Sequence, residues 1–224
     1  MLKPAQGFQA DQFDSWIFDL DNTIYPAASN LFDQVSERMT LFIRERFDLD
    51  HEAAFARQKD LFRRYGTTAS GLMHEHGIEP RDFMDFVHAI DLDGFNPDPE
   101  LDAAIGALPG TKVIFTNGTH DHATRILEAM ELRHHFDGIY DIFDAGHRPK
   151  PEPAIYHEVV ERFGINARSA VMIEDMAVNL VPAAEMGVTT VLLEHNLDWN
   201  NPAMTAGHID YIAADLKTFL HNLA

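Results

Sequence analysis

Ser15-Trp16-Ile17-Phe18-Asp19-Leu20-Asp21-Asn22-Thr23 begins as a short apolar run and ends as a polar turn that carries two carboxylates. An apolar segment of strand length, bounded by polar residues, predicts a strand buried in a sheet. The two acids emerge where that strand ends, and in an open α/β sheet ligands bind outside the carboxyl ends of the strands. Carboxylates held side by side and shielded from water repel each other unless a cation or a bound proton offsets the charge. The stretch therefore predicts a metal, and with it chemistry, at the edge of a sheet.

Four more apolar runs extend the pattern outward. Lys112-Val113-Ile114-Phe115 leads into Thr116-Asn117-Gly118, and Ala170-Val171-Met172-Ile173 leads into Glu174-Asp175. Gly138 to Phe143 and Thr189 to Leu193 complete the set. Between them lie helix-period segments, roughly His120 to Leu132, Pro153 to Phe163 and Ala177 to Met186. Strands alternating with helices predict an α/β fold, a parallel sheet with helices on both faces. Residues 26–95 differ: they show helical periodicity (Leu31, Val35, Met39, Phe42, Ile43), then candidate helices near Glu52–Tyr65, Ala69–His76 and Arg81–Ile90. Pro26 and Asn96-Pro97-Asp98-Pro99 punctuate the two edges of that stretch, as expected of a helical insertion after the first strand. Such an insertion sits above the strand ends as a lid.

Composition narrows the partners. The 224 residues suffice for one large domain or a domain with an insertion, and 36 acidic against 17 basic residues give a net charge of −19. That field repels nucleic-acid polymers and anionic membrane surfaces, so neither is an expected partner. With no cysteine, disulfides, thiolate zinc sites and cysteine nucleophiles are excluded. Residues 1–14 carry one lysine and no apolar core of signal-peptide length, so a soluble, cytoplasmic protein is the expectation.

A carboxylate beside a divalent metal can attack phosphorus and form an aspartyl-phosphate. A second carboxyl nearby can protonate the leaving oxygen and then deprotonate the hydrolytic water. Asp19 and Asp21 are candidates for the two tasks, with Glu174 and Asp175 as further oxygen donors of the kind magnesium favours. Thr116 and Asn117 offer a hydroxyl and backbone N–H groups at a helix start, a natural phosphate seat, and Lys150 between two prolines adds a point charge. Each piece alone is usually a turn, a cap or a surface lysine; their placement at successive strand ends raises the weight of the set.

In this order the segments resemble the haloacid dehalogenase superfamily of phosphohydrolases. Asp19-Leu20-Asp21-Asn22-Thr23 looks like its first motif, Thr116 its second, Lys150 its third and Glu174-Asp175 its fourth, over essentially the whole chain. The resemblance implies a Rossmann-like core of residues 1–25 and 96–224 and a helical cap of residues 26–95. It implies Asp19 as nucleophile and Asp21 as general acid/base. Magnesium would be held by Asp19, the main-chain carbonyl of Asp21 and Asp175, with Glu174 binding directly or through water. Thr116, the Asn117 backbone and Lys150 would hold the transferring phosphoryl group.

The run Trp16 to Pro26, the stretch Tyr65-Gly66-Thr67-Thr68, and Phe115-Thr116-Asn117-Gly118 are similar to the pyrimidine 5′-nucleotidase branch. That similarity implies a pyrimidine nucleoside 5′-monophosphate as substrate, with Tyr25, Thr67, Thr68 and His120 as candidate substrate-side residues. Alternatives stay open: a phosphatase or phosphomutase for another small metabolite such as a sugar phosphate, a dehalogenase attacking carbon, or a non-catalytic binding module. Asn179 stands where some members of the superfamily carry another acid, and it is expected to orient Asp175 or Lys150, or to cap a backbone group. The remaining histidines read as structural, since His120 and His122 are two apart and poorly spaced for one helical face. The phenylalanines of the insertion (Phe32, Phe42, Phe47, Phe55, Phe62, Phe83, Phe86) read as cap core rather than a stacking platform.

Overall fold

Trp16 and Phe18 join one buried cluster and the intervening Ile17 joins another, the alternation of a strand covered on both faces. The computed structural model describes residues 3–4, 8–93, 95–194 and 207–223. The expected bounds of core and cap also take in residues 1–2, 5–7, 94, 195–206 and 224, which lie outside that set.

The strands are β1 (Lys3–Pro4), β2 (Ser15–Phe18), β3 (Thr111–Phe115), β4 (Gly138–Tyr140), β5 (Ala170–Glu174), β6 (Thr189–Leu193) and β7 (Tyr211–Ala213). They form one parallel sheet in the order β1-β7-β6-β5-β2-β3-β4. The chain steps from β2 out to β3 and β4, then returns across the sheet to β5 and continues outward the other way. The reversal falls between β2 and β5, the topological switch point where doubly wound, Rossmann-like sheets open a crevice. Register sharpens this, because Phe18 pairs with both Ile114 and Ile173. Residues just past those three positions therefore leave the sheet together.

Of the five α-helices among the described residues between β2 and β3, the first four are α1 (Leu31–Phe47), α2 (His51–Tyr65), α3 (Thr68–His76) and α4 (Pro80–Val87). Their ends follow local chemistry. Asp50 Oδ1 accepts from the Ala53 N–H at 2.8 Å to start α2, and Gly66 at φ +79° ends it in a conformation that favours glycine. Val35, Ile43, Leu61, Leu72 and Phe83 are buried together, and Phe42 meets Phe83 and Phe86 edge-on at 5.1 and 5.4 Å. Phe32, Phe42, Phe47, Phe83 and Phe86 thus pack into the core, whereas Phe55 is 43% exposed.

The remaining helices are α5 (Pro99–Gly106), α6 (His120–Ala129), α7 (Pro153–Arg162), α8 (Val181–Glu185) and α9 (Leu216–His221). Two expectations are corrected. The strand expected over Gly138 to Phe143 stops at Tyr140, because Asp141 Oδ1 accepts from the Phe143 and Asp144 N–H groups and turns the chain. The helix expected over Ala177 to Met186 is a 3-10 turn over Ala177–Leu180 followed by α8, whose first turn accommodates Pro182. After the insertion, Asp98 and Pro99 start a helix: Asp98 Oδ1 accepts from the Glu100 and Leu101 N–H groups and Pro99 opens α5. Gly110, at φ +74°, is required where β3 begins, since a Cβ there would lie 1.9 Å from the Asp14 carbonyl oxygen. No helix among the described residues is long and apolar enough to cross a membrane.

Candidate active site

Asp19 continues the β2 ladder by donating its N–H to the Ile173 carbonyl at 3.0 Å, so its carboxyl is delivered beside the end of β5. Asn22, at φ 60°, adopts the left-handed conformation that asparagine tolerates, and this turns the chain back over the site. Its Nδ2 reaches Asp175 Oδ2 at 3.5 Å, tying the first turn to the acids after β5. Asp19, Glu174 and Asp175 are buried, and each offers an oxygen within 4.8 Å of the others.

Lys150 sits beneath this cluster, fully buried, with each ammonium hydrogen directed to a partner. Nζ donates to Asp19 Oδ1 at 2.7 Å, to Glu174 Oε1 at 2.9 Å and to the Phe115 carbonyl at 2.9 Å. Its backbone is held as well, since Asn117 Oδ1 accepts from the Lys150 N–H at 2.7 Å. The Asn117 side chain is therefore a clasp on the lysine segment. Thr116 Oγ1 accepts from the Gly118 N–H at 2.9 Å and shapes the turn that enters α6.

Glu174 is held by three donors. Beyond Lys150, its Oε1 accepts from Asn179 Nδ2 at 2.6 Å and its Oε2 from the Met176 N–H at 2.6 Å. Asn179, expected to orient Asp175 or Lys150, instead holds the glutamate that holds the lysine.

Charge follows the same geometry. Burial pushes the Glu174 carboxyl up, but Lys150 and its hydrogen bonds outweigh this and hold it below the usual range. Burial raises the Asp19 carboxyl to about 7, with Glu174 and Asp21 adding to the rise and Lys150 opposing it. Burial, Glu174 and Asp19 push Asp175 well above its ordinary value. One ammonium faces three carboxylates and bonds two of them, Asp19 and Glu174. Asp19 and Asp175 are left short of positive charge, facing each other through oxygen. A divalent cation with a taste for oxygen donors fits that deficit.

Asp21 stands apart from the cluster. Its Oδ1 accepts from the Tyr25 hydroxyl at 2.5 Å and from His122 Nε2 at 3.0 Å. Burial pushes this carboxyl up, but the charge and hydrogen bond of His122, with Tyr25, bring it down to about 2. His122 lies on the buried stripe of α6 with Ala123, Ile126 and Leu127, in the first turn set by the Thr119 cap. It is stacked on His88 with ring centroids 4.0 Å apart and planes 12° apart. Burial, with His122 nearby, lowers His88 to about 3.

The substrate-side expectations land in different places. Tyr25 is fully buried and spends its hydroxyl on Asp21. Thr67 caps α3 through the Ser70 N–H at 3.0 Å, and Thr68 is buried. His120 is exposed and lines a cleft of about 480 Å³ with Arg81 and Asp85 of α4, Thr119, Asp141 and Phe143. Sequence reasoning passed over His122 and His88. Counting from the Thr119 cap would have found His122, because four-residue steps place it with Ile126 on the buried face. No local signal marks His88.

The haloacid dehalogenase-like hydrolase family matches residues 14–187, from the entry to β2 through the turn after α8. The chain belongs to this family. Among curated relatives of this hydrolase, phosphate metabolism protein 8 of Saccharomyces cerevisiae is 25% identical over 198 residues, 79% of this chain. The chain spans about 60% of that protein's length. Solved structures share the fold. A HAD phosphatase from Thermococcus onnurineus superposes with a TM-score of 0.62 at 18% identity, over 94% of this chain and 95% of that one. L-2-haloacid dehalogenase from Xanthobacter autotrophicus superposes with a TM-score of 0.58 at 14% identity, over 93% and 97%. A protein described as a phosphatase and one described as a dehalogenase thus share this fold.

Proposed function

We propose that this hydrolase is a magnesium-dependent phosphomonoesterase that works through an aspartyl-phosphate on Asp19. The observation that carries the reading is Asp21. A second acid two residues after the nucleophile, fixed through one oxygen by Tyr25 and His122, has a task in phosphoryl transfer and none in displacement at carbon. In the first step an Asp19 oxygen forms a bond to phosphorus while the bond to the ester oxygen breaks; Asp21, ionised in the free protein, takes up a proton brought in with the phosphate monoanion and delivers it to that oxygen. In the second step Asp21 takes a proton from water, whose oxygen attacks phosphorus and releases Asp19. Lys150 keeps the nucleophile aligned and offsets charge near the phosphoryl group. Thr116 and the Asn117 backbone, at the entrance to α6, offer donors for its oxygens.

The donor set fits magnesium through Asp19, Asp175 and the Asp21 main-chain carbonyl, with Glu174, its oxygens already accepting, acting through water or through Lys150. When bound, the ion supplies charge neutralisation and polarises phosphoryl oxygens. In the same reading residues 26–95 are a cap over a core of residues 1–25 and 96–224, and the enzyme works in the cytoplasm. The substrate is a small phosphorylated metabolite, most closely a pyrimidine nucleoside 5′-monophosphate by likeness of motif.

A panel of phosphomonoesters assayed with and without magnesium tests this. Turnover that needs magnesium and favours UMP and CMP is expected. Preference for sugar phosphates would overturn the nucleotide assignment, and haloacid turnover that survives chelation would overturn the reaction.

A further inference from the structure

We infer that His122, backed by His88, is a positioning residue that fixes which oxygen of Asp21 transfers the proton. The inference rests on the assignment of Asp21 as general acid/base and adds the device that makes it one.

Tyr25 and His122 both donate to Oδ1, so this oxygen has two partners, and Oδ2 is the one left for a substrate or water. Gly118 locates Oδ2. A Cβ built there would lie 3.7 Å from Asp21 Oδ2 and 3.2 Å from Thr116 Oγ1, which puts the second oxygen beside the phosphate seat. A carboxyl swings about its terminal torsion with little resistance. Two donors on one oxygen remove that freedom, and proton transfer depends on such alignment.

His122 acts through Asp21 rather than on substrate. Its side chain is 1% exposed, its Nε2 is spent on Oδ1, and the His88 ring covers one face at 4.0 Å. His88 is itself anchored to the same helix. Its Nδ1 meets Thr119 Oγ1 at 3.1 Å, and that hydroxyl also accepts from the His122 N–H at 3.2 Å. Arg125 Nη1 donates to the His88 carbonyl at 2.8 Å, and Nη2 to the Ile90 carbonyl at 3.0 Å. Thr119, His122 and Arg125, spaced by three on α6, therefore grip the short segment that leaves α4. Docking of the helical insertion and orientation of the acid become one event: separating residues 88–90 from α6 uncovers His122 and frees Asp21 to turn.

The test compares two esters that differ in how much they need the acid, p-nitrophenyl phosphate with its good leaving group and glycerol phosphate with a poor one. His122→Met keeps the bulk and removes the donor, whereas His122→Gln restores one; both are measured beside His88→Ala and Asp21→Asn, with folding checked by circular dichroism. His122→Met is expected to lower kcat/KM, which reports formation of the intermediate and not its leaving-group-independent hydrolysis, by about 10-fold or more on glycerol phosphate. A loss of about threefold or less is expected on p-nitrophenyl phosphate, with recovery in His122→Gln and a weaker copy of the pattern in His88→Ala. If Asp21→Asn shows the leaving-group difference and His122→Met loses equally on both esters, or loses nothing, the positioning role is overturned. If Asp21→Asn itself shows no such difference, the assignment of Asp21 fails, and the inference with it. Should His122→Met not fold, His88→Ala decides: loss confined to the poor leaving group supports the role, and any other pattern overturns it.

Discussion

Lys150 Nζ donates to Asp19 Oδ1 at 2.7 Å from a position where the lysine is fully buried. Asp19 is thus pinned by a cation from another crossover, one that also holds Glu174 at 2.9 Å. A buried ammonium is costly to desolvate, and its partners repay that cost only while all of them remain. Lys150→Met leaves three acids with no compensating charge. It is expected to destabilise the fold by about 3–5 kcal/mol and to abolish turnover. Thermal unfolding checks the first, with roughly 2–4 °C lost per kcal/mol in a chain of this size. An unchanged melting temperature would contradict the structural role.

Asn179 gives a subtler change. Its amide donates to Glu174 Oε1 at 2.6 Å in a site without access to water. Removing a hydrogen bond to a buried charge costs about 1–3 kcal/mol. Asn179→Ala is expected to lose stability in that range and to slow turnover by loosening Glu174 and hence Lys150. Urea unfolding measures the first, and steady-state kinetics the second.

Acid stability carries a signature of His88. Burial, reinforced by His122, holds it at about 3 in the folded chain against an ordinary value near 6.5. The unfolded chain therefore binds a proton that the folded chain refuses. The contribution of a neutral His88 is complete above pH 6.5 and is lost as pH falls from there toward 3. Between pH 6.5 and 5 the loss is about 2 kcal/mol. His88→Phe, whose ring keeps the stack, is expected to show a shallower fall in melting temperature over that interval than the wild type. Parallel slopes would contradict it.

Asp21→Asn keeps shape and removes proton transfer. Both formation and hydrolysis of the intermediate are expected to slow, by about 10²–10⁴-fold overall. Rapid-quench kinetics resolves the two steps, and near-normal rates in both would contradict the role.

The sheet was legible because β2, β3 and β5 are buried on both faces, and burial on both faces writes itself as an uninterrupted apolar run. The carboxylates were legible for the same reason, being polar residues that immediately follow such runs. What escaped notice depended on partners far along the chain or on competing local bonds. Tyr140 ends its strand because the Asp141 side chain captures two backbone N–H groups, an outcome no apolar pattern reports. β7 has three residues and draws its order from β6. The His88–His122 stack joins positions that only the docking of the helical segment brings together. The bonds that Asn179 and Met176 give to Glu174 depend on the turn after β5, which no apolar run announces.

The central claim is a covalent phosphoryl group on Asp19. Rapid mixing of the enzyme with magnesium and a phosphomonoester, acid quenching and intact-mass measurement test it directly. The account predicts a transient species heavier by one phosphoryl group, located by peptide mapping to Asp19 and absent from both Asp19→Asn and the chelated enzyme. Turnover with no such species at any time point, or the same adduct in Asp19→Asn, would contradict it.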